Sequence, residues 1–410
     1  MICAGEKGTM SPEQAKKYMH NLLRMMLSKR GSDLFISNDF PPSMKIDGAM
    51  TPVGNQRLNP TYTRALAHAV MDEKQKAEFE ETKECNFAIS PDGIGRFRVN
   101  VFVQQGCVGM VLRTITSEIP NFDDLKLPPV LKDVSLTKRG LVILVGGTGS
   151  GKSTSLAAMI DHRNENSRGH IITIEDPVEY VHRNKNCLIT HREVGTDTQN
   201  WFAALKNTLR QAPDVILIGE IRDVETMEYA IAFAETGHLA MATLHANSAN
   251  QALDRIINFF PEERRHQLLM DLSLNMKAIV SQRLVPKKGG GRCAAIEILL
   301  NSPKVQDHIF KGEVAELKEA MKKSREMGMQ TFDQALFELY EQGLITYEDA
   351  LRNADSENEL RLQIKLNSKR SDAKGPGSGK LEFSIRDSYK DESEEDEDGE
   401  EGGEAKTGTG

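Results

Sequence analysis

Two hydrophobic periodicities divide the chain. Met19, Leu22, Leu23, Met26 and Leu27 recur at the spacing of one helix face. Short strands are predicted at Asp33-Leu34-Phe35-Ile36 and Met44-Lys45-Ile46, the second running into an Asp47-Gly48 turn. Residues 60–82 carry a helical pattern. The clearest alternation follows, with Phe97, Val99, Val101 and Val103 set between Arg96, Arg98, Asn100 and Gln104. That pattern predicts a half-buried strand, and a partner strand is expected from about Val108 to Ile115. Together these elements predict a small α/β domain over residues 11–116. Pro120, Pro128 and Pro129 mark 117–129 as a linker.

From Val130 the pattern changes. Apolar runs at 141–145, 171–174, 215–218, 239–243 and 294–299 predict strands, and helical patterns at 199–210, 224–235, 249–259 and 264–284 fill most gaps. Such alternation predicts a mostly parallel sheet with helices on both faces, here over 130–366. Thr331 with Gln334, and Thr346 with Asp349, read as caps of the last helices. Residues 367–410 turn to Gly, Ser and then a run of Asp and Glu, which cannot bury enough apolar surface to fold, so a disordered acidic tail is expected.

Charge sharpens this division. The chain of 410 residues has a net charge of −8, and the 13 acidic and 5 basic residues of Ser371–Gly410 account for all of it. The remainder is neutral, which argues against a nucleic-acid surface. Cys3, Cys85, Cys107, Cys187 and Cys293 are scattered and odd in number, as reduced thiols are, and no disulfide framework or zinc site is expected. No apolar run reaches membrane-spanning length and no signal core opens the chain. Residues 1–9 read as irregular, with Met10 an alternative start.

Candidate chemistry begins at Gly146-Gly147-Thr148-Gly149-Ser150-Gly151-Lys152-Ser153, which fits the phosphate-loop pattern G-x-x-x-x-G-K-[ST] between a predicted strand and a predicted helix. Glycines there let backbone N–H groups, joined by Thr154 at the helix start, wrap phosphate oxygens of ATP. Lys152 would reach the β- and γ-phosphates and Ser153 would ligate Mg²⁺. A similar stretch, Gly375-Pro376-Gly377-Ser378-Gly379-Lys380, lacks a hydroxyl at Leu381 and a preceding strand, and reads as linker.

Hydrolysis needs carboxylates near the metal. Asp214-Val215-Ile216-Leu217-Ile218-Gly219-Glu220 is an apolar strand ending in one, which places Glu220 by the metal shell. Ile171–Ile174 runs into Glu175, Asp176 and Glu179, with Pro177 setting the turn. Both strand ends belong at the carboxyl edge, where open α/β sheets bind ligands. His238 and His245 flank the strand 239–244; His245, at its carboxyl end, is a candidate nucleotide sensor, and His238 a weaker one. In the first domain, a two-residue turn at Gln105-Gly106 sets Arg98 opposite Arg113. Like charges so placed destabilise a sheet unless an anion lies between them, which suggests a γ-phosphate clamp acting in the same chain or on a neighbouring subunit.

Taken together, the phosphate loop, Ile174–Glu179, Ile218-Gly219-Glu220-Ile221-Arg222-Asp223 and Thr243-Leu244-His245-Ala246-Asn247 resemble the Walker A, Asp box, Walker B and His box of the secretion ATPases. Gly31-Ser32-Asp33-Leu34 resembles the start of the PAS-like N-terminal domain of type IV pilus retraction motors, the PilT and PilU group. The resemblance covers about residues 11–366. It implies a PAS-like domain followed by a RecA-like P-loop domain, and homo-hexameric rings at the cytoplasmic face of the inner membrane. It also implies an inner-membrane pilus platform protein as partner. By motif position it makes Glu179 the catalytic glutamate, Glu220 the Walker B carboxylate, and Arg98 and Arg113 phosphate-contacting arginines. No four-cysteine insertion is present, which favours retraction over assembly. The A-I-R-N-L-I motif of main retraction motors is replaced by Lys304-Val305-Gln306-Asp307-His308-Ile309, whereas Met327-Gly328-Met329-Gln330-Thr331-Phe332-Asp333-Gln334 is kept. With its longer C-terminus, the chain looks nearer the PilU-type accessory ATPases, which act with the main retraction ATPase. The alternative is a nucleotide-binding adaptor on that motor with little hydrolysis of its own.

Overall fold

The computed structural model describes residues 10–46, 48–115 and 118–370. Asp47 of the predicted turn, the irregular segment 1–9 and the acidic stretch 371–410 lie outside these residues, and so does the disorder expected of the tail.

The first unit starts with α1 (Pro12–Ser28), capped by a reciprocal Ser11–Gln14 box with proline in its first turn. It buries Met19, Leu22, Leu23 and Met26, while Leu27 stays exposed. Strands β1 (Asp33–Ile36), β2 (Ser43–Ile46) and β3 (Ala49–Pro52) come next. The predicted helix 60–82 is two helices, α2 (Pro60–His68) and α3 (Glu73–Thr82), because Asp72 with Gln75 forms a second capping box between them. Strands β4 (Glu84–Ile89), β5 (Arg96–Gln104) and β6 (Cys107–Ile115) complete an antiparallel sheet in the order β3-β2-β1-β6-β5-β4. Gln105 and Gly106 take φ of 50° and 76°, the left-handed pair of a tight hairpin, and Arg98 faces Arg113 across it.

The predicted linker is not loose. Phe122 and Leu127 are buried against the second unit. That unit runs through α4 (Val130–Leu136), β7 (Gly140–Val145), α5 (Lys152–Asn166), β8 (Gly169–Glu175), β9 (Cys187–Glu193), α6 (Trp201–Thr208), β10 (Val215–Ile218) and α7 (Val224–Glu235). It continues with β11 (Leu239–Leu244), α8 (Ala249–Phe259), α9 (Glu262–Asn275), β12 (Met276–Pro286) and β13 (Arg292–Leu300). The sheet order is β13-β12-β7-β11-β10-β8-β9, parallel except for β12 with β13. Every residue of β7, β10 and β11 is buried, since helices cover both faces. The predicted helix 264–284 is wrong in its second half: it ends at Asn275 and the chain becomes β12. Strand β9 was not predicted.

Helices α10 (Pro303–Lys311), α11 (Leu317–Lys323), α12 (Phe332–Glu341), α13 (Tyr347–Arg352) and α14 (Glu357–Asn367) close the chain. Phe332, Leu336, Tyr340, Ile345, Leu360 and Ile364 form their own core against Val285 and Ala295. Residues 367–370, assigned above to the tail, are part of this group. Asn367 ends α14, the Lys369 N–H donates to Glu341 at 3.1 Å, and the Arg370 guanidinium lies 4.5 Å from the Tyr340 ring centre.

Candidate active site

Strand order decides where the chemistry converges. With β11 between β7 and β10, and β8 beyond, the carboxyl ends of four parallel strands lie side by side. Those ends carry the phosphate loop, His245, Glu220 and the Glu175–Glu179 turn. The loop backbone needs its glycines at two points in particular. At Gly146, with φ 157°, a Cβ would fall 2.4 Å from Ser150 Oγ and 2.6 Å from the Gln282 carbonyl oxygen. At Gly151, the left-handed N-cap of α5, it would fall 2.7 Å from Gln282 Nε2.

Lys152 is buried at the start of α5, and its ammonium donates to the Gly146 and Gly147 carbonyls at 2.8 and 3.0 Å. Burial pulls its pKa down, while the charges of Glu220 and Glu179 oppose that shift. Ser150 Oγ is buried with no hydrogen-bond partner among the described residues. An orphaned hydroxyl and a buried ammonium at a helix N-terminus fit a phosphate group.

Beside the loop is a cleft of about 200 Å³ lined by Thr148, Gly149, Lys152, Ser153, Glu175, Asp176, Glu179, Glu220 and His245, among others. Glu220 is held on both oxygens, by His245 Nε2 at 3.2 Å and Arg222 Nε at 2.8 Å. Thr243 ties β11 to the end of β10, its hydroxyl donating to the Gly219 carbonyl at 2.5 Å. Asp176-Pro177 is a cis peptide. The turn it begins hangs on two carboxylates. The Glu179 N–H faces Glu175 Oε2 at 3.4 Å and the Val178 N–H donates to Glu193 Oε2 at 3.1 Å. Glu175 keeps a little surface in the cleft, but protein surrounds its carboxyl and desolvation pushes its pKa up to about 7. Glu179 itself is exposed.

Among the described residues no cluster of three or more His, Cys, Asp or Glu side chains forms a metal cage. Mg²⁺ keeps waters and phosphate oxygens as ligands and needs little from the protein. Ser153 and Glu220, both on the cleft wall, are the residues that would serve it. Past the loop a second cavity of about 520 Å³ shares Gly151, Thr154 and Ser155 with it and is walled by Leu127, Leu284 and Leu339 among others.

The model of type II/IV secretion system proteins matches residues 10–330. The chain belongs to this family. It is an ATPase, as its named relatives are. It is 64% identical over 353 residues to the type IV pilus ATPase PilU of Pseudomonas aeruginosa, covering 86% of this chain and 92% of that one. The type IV pilus retraction ATPase PilT of the same organism is 42% identical, over 81% of this chain and 97% of PilT. A crystal structure of the pilus retraction motor PilT with bound ADP matches at TM-score 0.78 and 39% identity, over 83% of this chain and 98% of that one. The fold of this secretion ATPase is therefore PilT-like, and a bound ADP in the neighbour accords with nucleotide binding here.

The remaining predicted residues fall in three places. Thr154 pairs its hydroxyl with Tyr180 at 2.9 Å, which joins the loop helix to the segment after Glu179. His238 sits at the opposite end of β11 from His245, about 20 Å along the strand, bonded to Thr236 at 3.0 Å and to the Phe233 carbonyl at 3.2 Å. It therefore closes α7 and does not reach the phosphate loop. Arg113 donates to Asp33 at 2.8 Å, and Arg98 lines an inter-domain cleft with Asp176 and Glu193. Neither arginine lines the phosphate-loop cleft of its own chain. Sequence reasoning missed Gln282, which accepts from Ser155 at 2.7 Å behind the loop, and Glu193, buried at the end of the unpredicted β9. Glu175 was read as one of three acids, without the burial that sets it apart.

Proposed function

We propose that this protein is a hexameric motor that hydrolyses ATP to retract type IV pili, working beside the main retraction ATPase at the pilus base. The identity of 64% to PilU over 86% of this chain, against 42% to PilT, carries this reading. In it, Lys152 and the N–H groups of Gly146–Thr154 hold the β- and γ-phosphates, and Ser153 and Glu220 serve Mg²⁺, which neutralises charge developing on the phosphoryl oxygens. Glu179 orients and deprotonates the attacking water. His245, bonded to Glu220, reports the state of the γ-phosphate to β11. Arg98 and Arg113, away from their own cleft, complete the site of a neighbouring subunit. A ring turning on these contacts would pull on the inner-membrane platform protein. Among the described residues no helix is long and apolar enough to cross a membrane, so attachment there would be through partners.

A second reading has its own support. The replaced segment 304–309 lies on α10, which carries the exposed Phe310. An adaptor that binds nucleotide and docks on the main motor would retain the fold and carry an altered surface there. Turnover measured alone and mixed with the main retraction ATPase separates the two. Glu179-dependent turnover in either setting supports the motor, and its absence from both leaves the adaptor.

A further inference from the structure

Glu193 ends β9 with a carboxylate that is 3% exposed. Three donors converge on it from three parts of the chain. The Arg96 guanidinium comes from β5 of the first domain. The Val178 N–H comes from the turn that carries Glu179, at 3.1 Å. The Thr196 hydroxyl comes from the following loop, at 3.2 Å. Arg96 and the Val178 N–H share one oxygen, Oε2.

The position of Arg96 adds meaning to the contact. It begins β5 and pairs with Ile115, the last residue of β6 before the chain enters the inter-domain linker. It therefore lies at the pivot between the two domains. Its Nε is buried with no hydrogen-bond partner, and among the described residues its ion pair is with Glu193. A buried carboxylate is costly without a cation, and Arg96 supplies one. Only an acceptor can hold the Val178 N–H.

We infer that Arg96 and Glu193 form a latch by which the position of the first domain sets the Asp176–Glu179 turn, and so the aim of Glu179. Arg96 and Glu193 are positioning residues: they touch neither phosphate nor water. With the latch closed, the turn hangs between Glu193 on Val178 and Glu175 on Glu179. Rotation of the first domain withdraws Arg96. The Glu193 carboxylate, which lines the inter-domain cleft, is then opened to water that competes with the Val178 N–H for it, and Glu179 swings away from the attacking water. Hydrolysis in each subunit is thereby gated by its own domain angle. This rests on the catalytic reading of Glu179 given above.

Full-length protein carrying Arg96→Gln, Arg96→Lys or Glu179→Gln provides the test, with two readouts. One is steady-state ATP turnover resolved into kcat and KM. The other is hydrogen–deuterium exchange over residues 176–180, which does not depend on catalysis. The latch predicts that Arg96→Gln speeds exchange at Val178 and lowers kcat about 10-fold with KM within about 2-fold, since small misplacement of a catalytic group is costly. Arg96→Lys, which keeps the charge, should recover most of both. Unchanged exchange in Arg96→Gln overturns the latch, as does a raised KM at unchanged kcat. Full turnover in Glu179→Gln, with exchange still dependent on Arg96, would overturn the role of Glu179 and leave the latch standing.

Discussion

Glu175 places a carboxyl next to two others, Glu179 and Glu193, in a setting almost free of water. Burial is the larger cause of its raised pKa, and the two like charges add to it. A carboxyl that titrates near 7 when folded and near 4.5 when unfolded holds a proton that the unfolded chain has released between those values. Stability must then fall as pH rises through that window, and level off above it. Glu175→Gln removes the titration. Thermal unfolding of both proteins from pH 5 to 8 should show wild type losing about 1–3 kcal/mol relative to the variant. His182, whose burial lowers its pKa to about 4, titrates in both proteins and cancels in the difference. A constant difference across the range would contradict the buried setting of Glu175. At this same scale, the gathering of Lys152, Ser153, Glu220 and His245 in one cleft was legible in sequence because a phosphate loop and the ends of parallel strands fix one edge of the sheet. His238 was kept as a weaker candidate although it precedes β11, and its bonds to Thr236 and Phe233 place it at the end of α7, away from the phosphate loop.

Elements were legible where their pattern matched their surroundings. β5 alternates because one face is buried and the other wet, and its register with β6 followed from a two-residue turn. β12 misled for the opposite reason. It lies between β13 and β7 and is buried on both faces over most of its length, so it has no alternation, and no glycine or proline separates it from α9. β9 is seven residues long with a mixed burial pattern, and its end residue Glu193 is accordingly a site residue that no motif announced. Arg283, at the far end of β12, shows what such a strand contributes. Its guanidinium lies 3.8 Å from the centre of the Phe332 ring and 2.7 Å from Asp355, and donates to the carbonyls of Asn353 and Asn247. One side chain thus joins the loop after His245 to the C-terminal helices. Arg283→Ala should destabilise the protein by about 1–3 kcal/mol in denaturant unfolding, because Asp355 keeps Lys318 as a partner but the buried face of Phe332 loses its cover. A loss under about 0.5 kcal/mol, the range of ordinary surface changes, would show that the C-terminal helices are held by their apolar core alone.

For the whole molecule, the proposed function divides labour between a domain that binds nucleotide and a domain that responds to it. The phosphate loop, metal residues and Glu179 all belong to the parallel sheet, while Arg96, Arg98 and Arg113 belong to the antiparallel one. Arg96 is pinned to its own partner domain, and Arg98 and Arg113 are set apart from the phosphate loop of their own chain. In the function proposed above, such a subunit completes its chemistry through the angle between its domains and through neighbours in a ring. Such an account stands on ATP hydrolysis by Glu179. The direct measurement is steady-state ATP turnover of the purified full-length protein, with and without the main retraction ATPase, beside Glu179→Gln whose ADP affinity has been checked by titration. The account predicts that the variant binds ADP within about 3-fold of wild type and loses at least about 100-fold in kcat, the scale of a general base. Turnover in Glu179→Gln equal to wild type would contradict it.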